Sequence, residues 1–335
     1  MKNNPLSDFL FSLNYRFIFC ALLISVTGST LLAQPKSASA ANQHWAEFQS
    51  EPLESRFFRV DSAPSLSVFT ANGNIEVIYN PSISGVQVDL YVKREFSLWS
   101  GTRSLDNYRI ILQQRGNSIV ASVEDRRASS RSRAGDDIQF SFVIQVPDKG
   151  SMNLRTMKGD ISLDGVEGQH FIQNHSGLLR VRNSEGEIRI ASTSGDVELN
   201  NIKGNVYAKT VNGDIRSSNS TGEIRFRTVS GHVLADKIKG TLIVATTSGD
   251  VVSTLQDVSK GVYIESVSGN IDLELPSAGG FTIDANALRY DFESLNRQHT
   301  TERITSRGAK VNVREGGVPI NLSTVSGRIR VKERN

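Results

Sequence analysis

Between residues 159 and 275, apolar and polar side chains alternate in short bursts, each opened by a glycine. With that glycine as position 1, positions 3 and 5 are usually apolar: Val197 and Leu199, Val206 and Ala208, Ile224 and Phe226, Leu242 and Val244. Positions 2 and 4 are mostly polar or charged. A period of two predicts short strands with one buried face. Position 8 is often apolar too, as at Ile202, Val211, Val229 and Ile238, which predicts a second inward contact ahead of the next corner.

The bursts recur at a fixed interval. Gly159, Gly168, Gly177, Gly186, Gly195, Gly204, Gly213, Gly222, Gly231, Gly240 and Gly249 follow one another every nine residues, and repetition at a short fixed period marks a repeat architecture. A helix is excluded, because each of these glycines would cost it about 1 kcal/mol and interrupt its apolar stripe. Every second glycine follows a T-x-[S/N]-like tripeptide: Thr210-Val211-Asn212, Thr228-Val229-Ser230, Thr246-Thr247-Ser248 and later Ser266-Val267-Ser268. The intervening bursts enter through segments such as Asn201-Ile202-Lys203 and Lys237-Ile238-Lys239.

The repeating unit is therefore eighteen residues with two strand-turn halves. Units stacked about 4.8 Å apart predict an all-β, right-handed parallel β-solenoid of the β-helix or β-roll kind. Its corners fall at Gly159, Gly177, Gly195, Gly213, Gly231, Gly249 and Gly269, where positive φ or close backbone approach excludes a Cβ. Thr210, Thr228 and Thr246 would stack as a ladder of hydroxyls.

The period slips around Leu255–Lys260, which predicts a small bulge at a corner, and lapses over residues 276–320. It returns at Thr324-Val325-Ser326-Gly327. Upstream, Thr70-Ala71-Asn72-Gly73-Asn74-Ile75-Glu76-Val77 is an earlier copy of the same turn. Strand-like runs follow at Val86–Val92, Tyr108–Gln113, Ser118–Val123 and Ile138–Val146, with a basic loop at Arg126–Arg133. Stacked repeats need atypical ends that cover their open edges. The expected organisation is a targeting segment at 1–40, a linker at 41–56, an N-terminal β cap at 57–158, repeats at 159–275 and C-terminal capping strands at 276–335.

Composition agrees with a thin core: 38% of the 335 residues are hydrophobic and only 7% aromatic. Lys2 and Arg16 precede the apolar run Phe17–Ala33, and Ala38-Ser39-Ala40 offers the small-x-small pattern of signal-peptide cleavage. Retention as a membrane anchor is the alternative. No other stretch is apolar and long enough to span a bilayer. Cys20 follows Phe17-Ile18-Phe19 rather than small residues, which argues against lipidation, and it is the sole cysteine. A cleaved chain would thus have no disulfide and no thiolate metal site. Removing Lys2, Arg16, Lys36 and Asp8 lowers the formal charge from +3 to +1, which disfavours general nucleic-acid binding. Export places the chain in the periplasm, on the cell surface or in the medium.

Several short motifs occur in a fixed order. Leu66-Ser67-Val68 leads into Asn72-Gly73-Asn74-Ile75, and Val146-Pro147 precedes the repeats. Ser-Gly-Asp-Val units stand at 194–197 and 248–251, and Gly316-Gly317-Val318-Pro319-Ile320 precedes Thr324-Val325-Ser326-Gly327. In this order the chain resembles the bacterial putative-adhesin family of β-strand-repeat proteins, a domain family of unknown function. The resemblance spans about residues 57–333. It implies a β-solenoid at the cell envelope and names no ligand.

Chemistry is sparse. Asp160, Asp196, Asp214 and Asp250 share one repeat position, with Asn270 at the same place and Leu178 and His232 interrupting the column. Calcium is one use of such a column, as in secreted nonapeptide β-rolls. Those rolls carry G-G-x-G-x-D, whereas each unit here has one corner glycine, so turn capping is the competing role and no cofactor is expected. The histidines (His44, His170, His175, His232, His299) have no zinc spacing, and no H-E-x-x-H, phosphate loop or G-x-S-x-G occurs. Arg180, Arg189, Arg216 and Arg225 sit at position 4 on both kinds of half-unit, which could make two basic patches for an acidic glycan. Nearby Glu185, Glu187, Glu198 and Glu223 dilute that field.

The pattern points to a non-catalytic, exported binding, adhesion or structural module of the envelope with a glycan or protein ligand. Two alternatives stand beside it: a polysaccharide lyase or hydrolase on a parallel β-helix, which needs clustered carboxylates, and a periplasmic sensory partner.

Overall fold

The computed structural model describes residues 51–94, 105–126, 138–292, 295, 300–305 and 308–334. The targeting segment, Cys20, His44, most of the linker, residues 127–133 of the basic loop and His299 lie outside them. Apart from one 3-10 turn, Leu105–Asn107, every regular element among the described residues is a strand.

The alternation along the chain becomes burial. Val197, Leu199, Val206, Ala208, Ile224, Phe226, Leu242 and Val244 all lie in one apolar core. Strands pair in parallel at an offset of eighteen residues: Ile188 beside Val206, Val206 beside Ile224, Ile224 beside Leu242. The other half-units stack likewise, with Leu179 beside Val197, Val197 beside Ile215 and Ile215 beside Val233. One face of the stack carries longer strands (Glu167–Ser176, Glu185–Ala191, Lys203–Lys209, Thr221–Ser230). The other carries shorter ones (Leu179–Arg182, Val197–Asn200, Ile215–Ser218). From Val233 onward the halves run together as Val233–Ser248 and Val251–Ser268.

The corner glycines are required by contact as much as by conformation. Gly195 and Gly231 lie outside the left-handed region. A Cβ on either would still stand closer than 3.0 Å to the carbonyl oxygen of the glycine one unit earlier, Gly177 and Gly213 respectively. The same close approach repeats along the column from Gly159 through Gly269 and on to Gly327. A second column, Gly168, Gly186, Gly204, Gly222 and Gly240, packs in the same manner at the entry to the long strands, starting on the carbonyl of Gly150.

The other corner works differently. Asn183, Asn201, Asn219 and Lys237 recur every eighteen residues with φ between 49° and 55°. Asparagine tolerates this left-handed conformation best among residues with a Cβ. The amide of Asn201 donates to Oδ1 of Asn183 at 2.9 Å, and that of Asn183 to Asp164 at 2.8 Å. This turn also resets the strand alternation. Ile202 and Ile238 follow it and are buried as expected. Val211 and Val229 follow no such turn, and instead of facing inward they are 43% and 45% exposed.

The threonine hydroxyls of the corner column stack without bonding to one another, and Thr246 Oγ1 is buried with no hydrogen-bond partner among the described residues. Thr210 and Thr228 donate to the carbonyls of Gly195 and Gly213 in the preceding unit, at 3.2 and 3.3 Å. They satisfy the oxygens that the close glycine packing presents. The slip after Gly249 is absorbed as register shifts between Ala235 and Leu242 opposite the longer strand, with Leu255 and Val258 kept in the core.

The sheet is mixed rather than purely parallel, and the exceptions sit at its two ends. Glu54–Arg59 pairs antiparallel with Gly85–Arg94, which pairs antiparallel with Ile138–Val146; Tyr108–Arg115 pairs antiparallel with Ser118–Asp125. At the far end Phe281–Asn286 and Thr300–Thr305 both pair antiparallel with Gly308–Val313. The chain inserts a unit at each end. Ser65–Asn72 lies between Ser118–Asp125 and Ser151–Lys158, and Val318–Ser326 lies between Val251–Ser268 and Phe281–Asn286. Antiparallel ends let a stacked sheet stop, because they do not repeat the edge that the next parallel strand would extend.

Candidate functional site

On the long-strand face, position 4 points outward, and eighteen-residue stacking collects it into one column. Phe171 is beside Arg189, Arg189 beside Tyr207, Tyr207 beside Arg225, Arg225 beside Ile243, and Ile243 beside Tyr263. The three rings keep 37%, 37% and 39% of their surface exposed. Neighbouring strands are about 4.8 Å apart, so Phe171 and Tyr207 are about 10 Å apart along the stack. Arg155 lies over the Phe171 ring, 5.4 Å from its centroid.

Two charged columns flank the rings. Arg189 Nε donates to Glu187 at 2.8 Å and Arg225 Nε to Glu223 at 2.7 Å. On the other side Arg155, Gln173, Ala191, Lys209 and Arg227 stand in register. Among the described residues the Lys209 and Arg227 side chains have neither a carboxylate partner nor a hydrogen bond, and both are exposed. A depression of about 440 Å³ runs along this face beside Glu187, Arg189, Tyr207, Glu223 and Arg225.

The short-strand face is of another character. Arg180 and Arg216 share its outward column with Glu198 between them. Arg180 donates to Glu198 at 3.0 Å, and Arg216 bridges Asp196 and Asp214 at 3.1 and 2.6 Å. The four arginines singled out in the sequence thus do lie on two faces, each with a carboxylate at hand. Exposed pairs of this kind are worth little energetically, but they cancel local charge.

The aspartates also form a column, at a corner. Oδ1 of Asp160 accepts the backbone N–H of Leu178 at 2.8 Å, that of Asp196 the N–H of Asp214 at 2.9 Å, and that of Asp214 the N–H of His232 at 2.8 Å. Asp250 accepts from the N–H of Asn270 at 2.7 Å. Each carboxylate therefore caps the unit after its own, and Leu178 and His232 separate members of the set. Among the described residues no group of three or more His, Cys, Asp or Glu side chains is arranged to hold a metal ion.

His170 and His175 do not converge. His170 occupies a core position between Met152 and Ile188, while His175 is exposed. Burial lowers the His170 imidazole below the ordinary histidine range, opposed in smaller part by its bond to the Val166 carbonyl. Its Nδ1 is buried without a hydrogen-bond partner.

The aromatic column is what sequence reasoning missed. Position 4 was read for its arginines alone; sorted by unit, the same position also gives Phe171 and Tyr207, while Tyr263, at position 3 after Gly261, joins the column through the register shift.

A family model described as Toastrack DUF4097 matches residues 129–237 and 218–332. Among solved structures, the chain is similar to a putative cell adhesion protein from Clostridium sporogenes, at 10% identity over 84% of this chain and 98% of that one, with a TM-score of 0.24. It is similar to a putative adhesin from Bacteroides fragilis at 10% identity over 84% and 96%, TM-score 0.34. A putative lipid binding protein from Parabacteroides distasonis is similar at 10% identity over 86% and 98%, TM-score 0.31. No curated protein matches the chain.

Proposed function

The chain belongs to the Toastrack DUF4097 family, and on that premise we propose that it is an exported, non-catalytic, adhesin-like binding module of the bacterial envelope. The observation that carries this reading is the outward column Phe171–Arg189–Tyr207–Arg225–Ile243–Tyr263 on a stacked face. Exposed aromatic rings and arginines are the side chains that give most binding energy per residue at interfaces. A stack presents them at even spacing over a long surface, which suits an extended partner better than a small molecule.

The eighteen-residue parallel offsets support reading the repeats as a right-handed β-solenoid with antiparallel caps, since parallel crossovers take that hand. The apolar run Phe17–Ala33 followed by Ala38-Ser39-Ala40 supports export. Among the described residues no helix is long and apolar enough to cross a membrane. Glu187, Glu198 and Glu223 are tied to arginines and Asp160, Asp196, Asp214 and Asp250 to backbone N–H groups rather than set in an opposed pair, which favours binding over glycosidic cleavage.

The test is retention of the full chain on isolated bacterial envelopes and on arrayed glycans, with product analysis of every glycan retained. Retention without turnover is expected. Turnover of any glycan would overturn the non-catalytic reading, and absence of retention would overturn the binding one.

A further inference from the structure

Resting on that reading, we propose that the long-strand face binds an extended anionic glycan carrying carboxylates, laid along the stack axis with sugar rings on Phe171, Tyr207 and Tyr263. Three features of this face select the chemistry.

The first is the rings themselves. Phe171, Tyr207 and Tyr263 are each more than a third exposed although they project from strands whose inner faces are fully packed. An aromatic side chain left in water on a flat sheet offers a large apolar platform at low entropic cost. The C–H face of a pyranose matches such a platform, while its hydroxyls need donors and acceptors at the rim. Gln169, Glu187, Asn205 and Glu223 provide that rim on one side.

The second is the charge distribution across the column. Arg189 and Arg225 lie between the rings but are occupied by Glu187 and Glu223. Lys209 and Arg227, which have no carboxylate partner among the described residues, are adjacent to each other in register and on the opposite side of the rings from those glutamates. Arg155, three units before Lys209 in the same column, stands over Phe171 and hydrogen-bonds only Asn153 among the described residues, at 3.0 Å. From Phe171 to Arg225 one edge of the platform is therefore cationic and the other carries neutralised glutamates, and beside Tyr263 the cationic column ends in Glu265. A polymer with acidic groups along one side fits this asymmetry.

The third is density. Between Arg155 and Arg227 the column spans four strand spacings, about 19 Å, and holds three positive charges with no carboxylate partner among the described residues. Single-stranded nucleic acid also uses aromatic platforms and basic grooves. It brings a phosphate with every base, and Glu187 and Glu223 line the opposite flank of the rings over that span. A sparser, one-sided polyanion is the better match.

The experiment is titration of the full chain with three probes: an oligogalacturonate of defined length, its methyl-esterified neutral form, and single-stranded oligodeoxythymidine. Tyr207→Ala and the double variant Lys209→Gln with Arg227→Gln are compared with Leu234→Ser on the opposite face. All are exposed positions, and each variant is first checked for an unchanged melting temperature. The expected result is binding of the acidic oligosaccharide, weakened about tenfold by Tyr207→Ala and about tenfold by the double variant, and unaffected by Leu234→Ser. The double variant should also flatten the salt dependence.

Equal binding of the acidic and esterified forms would overturn the anionic part of the proposal. Tighter binding of oligodeoxythymidine, with the same variant sensitivity, would replace the glycan by nucleic acid. Absence of oligogalacturonate binding while envelope retention persists would overturn this inference and leave the binding-module reading standing. Loss of both would remove both.

Discussion

The backbone N–H of Asp250 donates to Nδ1 of His232 at 3.1 Å, so a histidine ring takes the place that a carboxylate or amide oxygen fills elsewhere in the column. Asn74 caps Asp160 in the same way at 2.9 Å, and Asn270 caps Arg328 at 3.1 Å. The column is thus defined by what it accepts rather than by its charge. His232→Asn should keep the cap and leave stability within about 0.5 kcal/mol, while His232→Leu should cost about 1 kcal/mol. Denaturant midpoints of the two variants check this.

At Leu178 the column lacks an acceptor, and no bond to the N–H of Asp196 occurs among the described residues. Leu178→Asn restores the acceptor without adding charge beside Asp160 and Asp196. It should raise stability by about 0.5–1 kcal/mol, read as a higher urea midpoint at unchanged m-value.

If the aspartates serve as caps, removing divalent cations should not matter. Thermal melting with calcium and with a chelator should coincide within about one degree, because the Oδ1 atoms of Asp160, Asp196, Asp214 and Asp250 are engaged by backbone N–H groups. Each degree corresponds to only a few tenths of a kcal/mol in a chain of this size. A drop of many degrees on chelation would restore the metal reading.

Two substitutions separate the reasons for the glycines. Gly195→Ala places a methyl against the Gly177 carbonyl with no φ penalty and should cost about 3 kcal/mol or more, since backbone rather than a flexible side chain must yield. Gly116→Ala has open space around it and φ of 58°, so it should cost only about 1–2 kcal/mol. The reverse change is available at Lys237, which carries φ of 54° in a column otherwise made of asparagine. Lys237→Asn should stabilise by about 0.5–1 kcal/mol, since the exposed pair with Asp236 at 4.0 Å contributes little.

His170 should set an acid limit. Its folded-state pKa is lowered by burial, so between pH 6.5 and that lower value the unfolded chain holds a proton that the folded chain refuses. Stability is therefore undiminished above about pH 6.5 and falls as the pH drops below it, levelling once the folded ring also protonates. His170→Leu removes the unpartnered Nδ1, and the Val166 carbonyl still accepts from Glu185 N–H at 3.3 Å. The variant should gain about 1 kcal/mol at pH 7 and lose less stability between pH 6.5 and 5 than the parent, measured by urea midpoints across pH.

Much of the scaffold was legible because one short-range rule, glycine then alternating apolar residues, is written into every unit. Gly159 to Gly249 and the pairs such as Val197 and Leu199 announce strand, corner and buried face together. The left-handed corner was harder to see, since Asn183, Asn201, Asn219 and Lys237 differ at one member and carry no glycine. The misplacement of Val211 and Val229 follows from missing it: only a turn at that corner resets the alternation, and their half of the unit has none. The end strands were legible as strands but not in their pairing, because antiparallel partners such as Gly85–Arg94 and Ile138–Val146 lie far apart in sequence. The binding face escaped because its members, Phe171, Arg189, Tyr207 and Arg225, differ chemically and become one column only through stacking.

The central claim is that the long-strand face, and not its opposite, carries the function. The direct measurement is retention of the chain on isolated envelopes for two double variants at exposed apolar positions, Phe171→Ser with Tyr207→Ser on one face and Leu234→Ser with Val252→Ser on the other. The account predicts that the first weakens retention at least about tenfold and that the second leaves it unchanged, with equal melting temperatures. Retention lost in the second and kept in the first would contradict it.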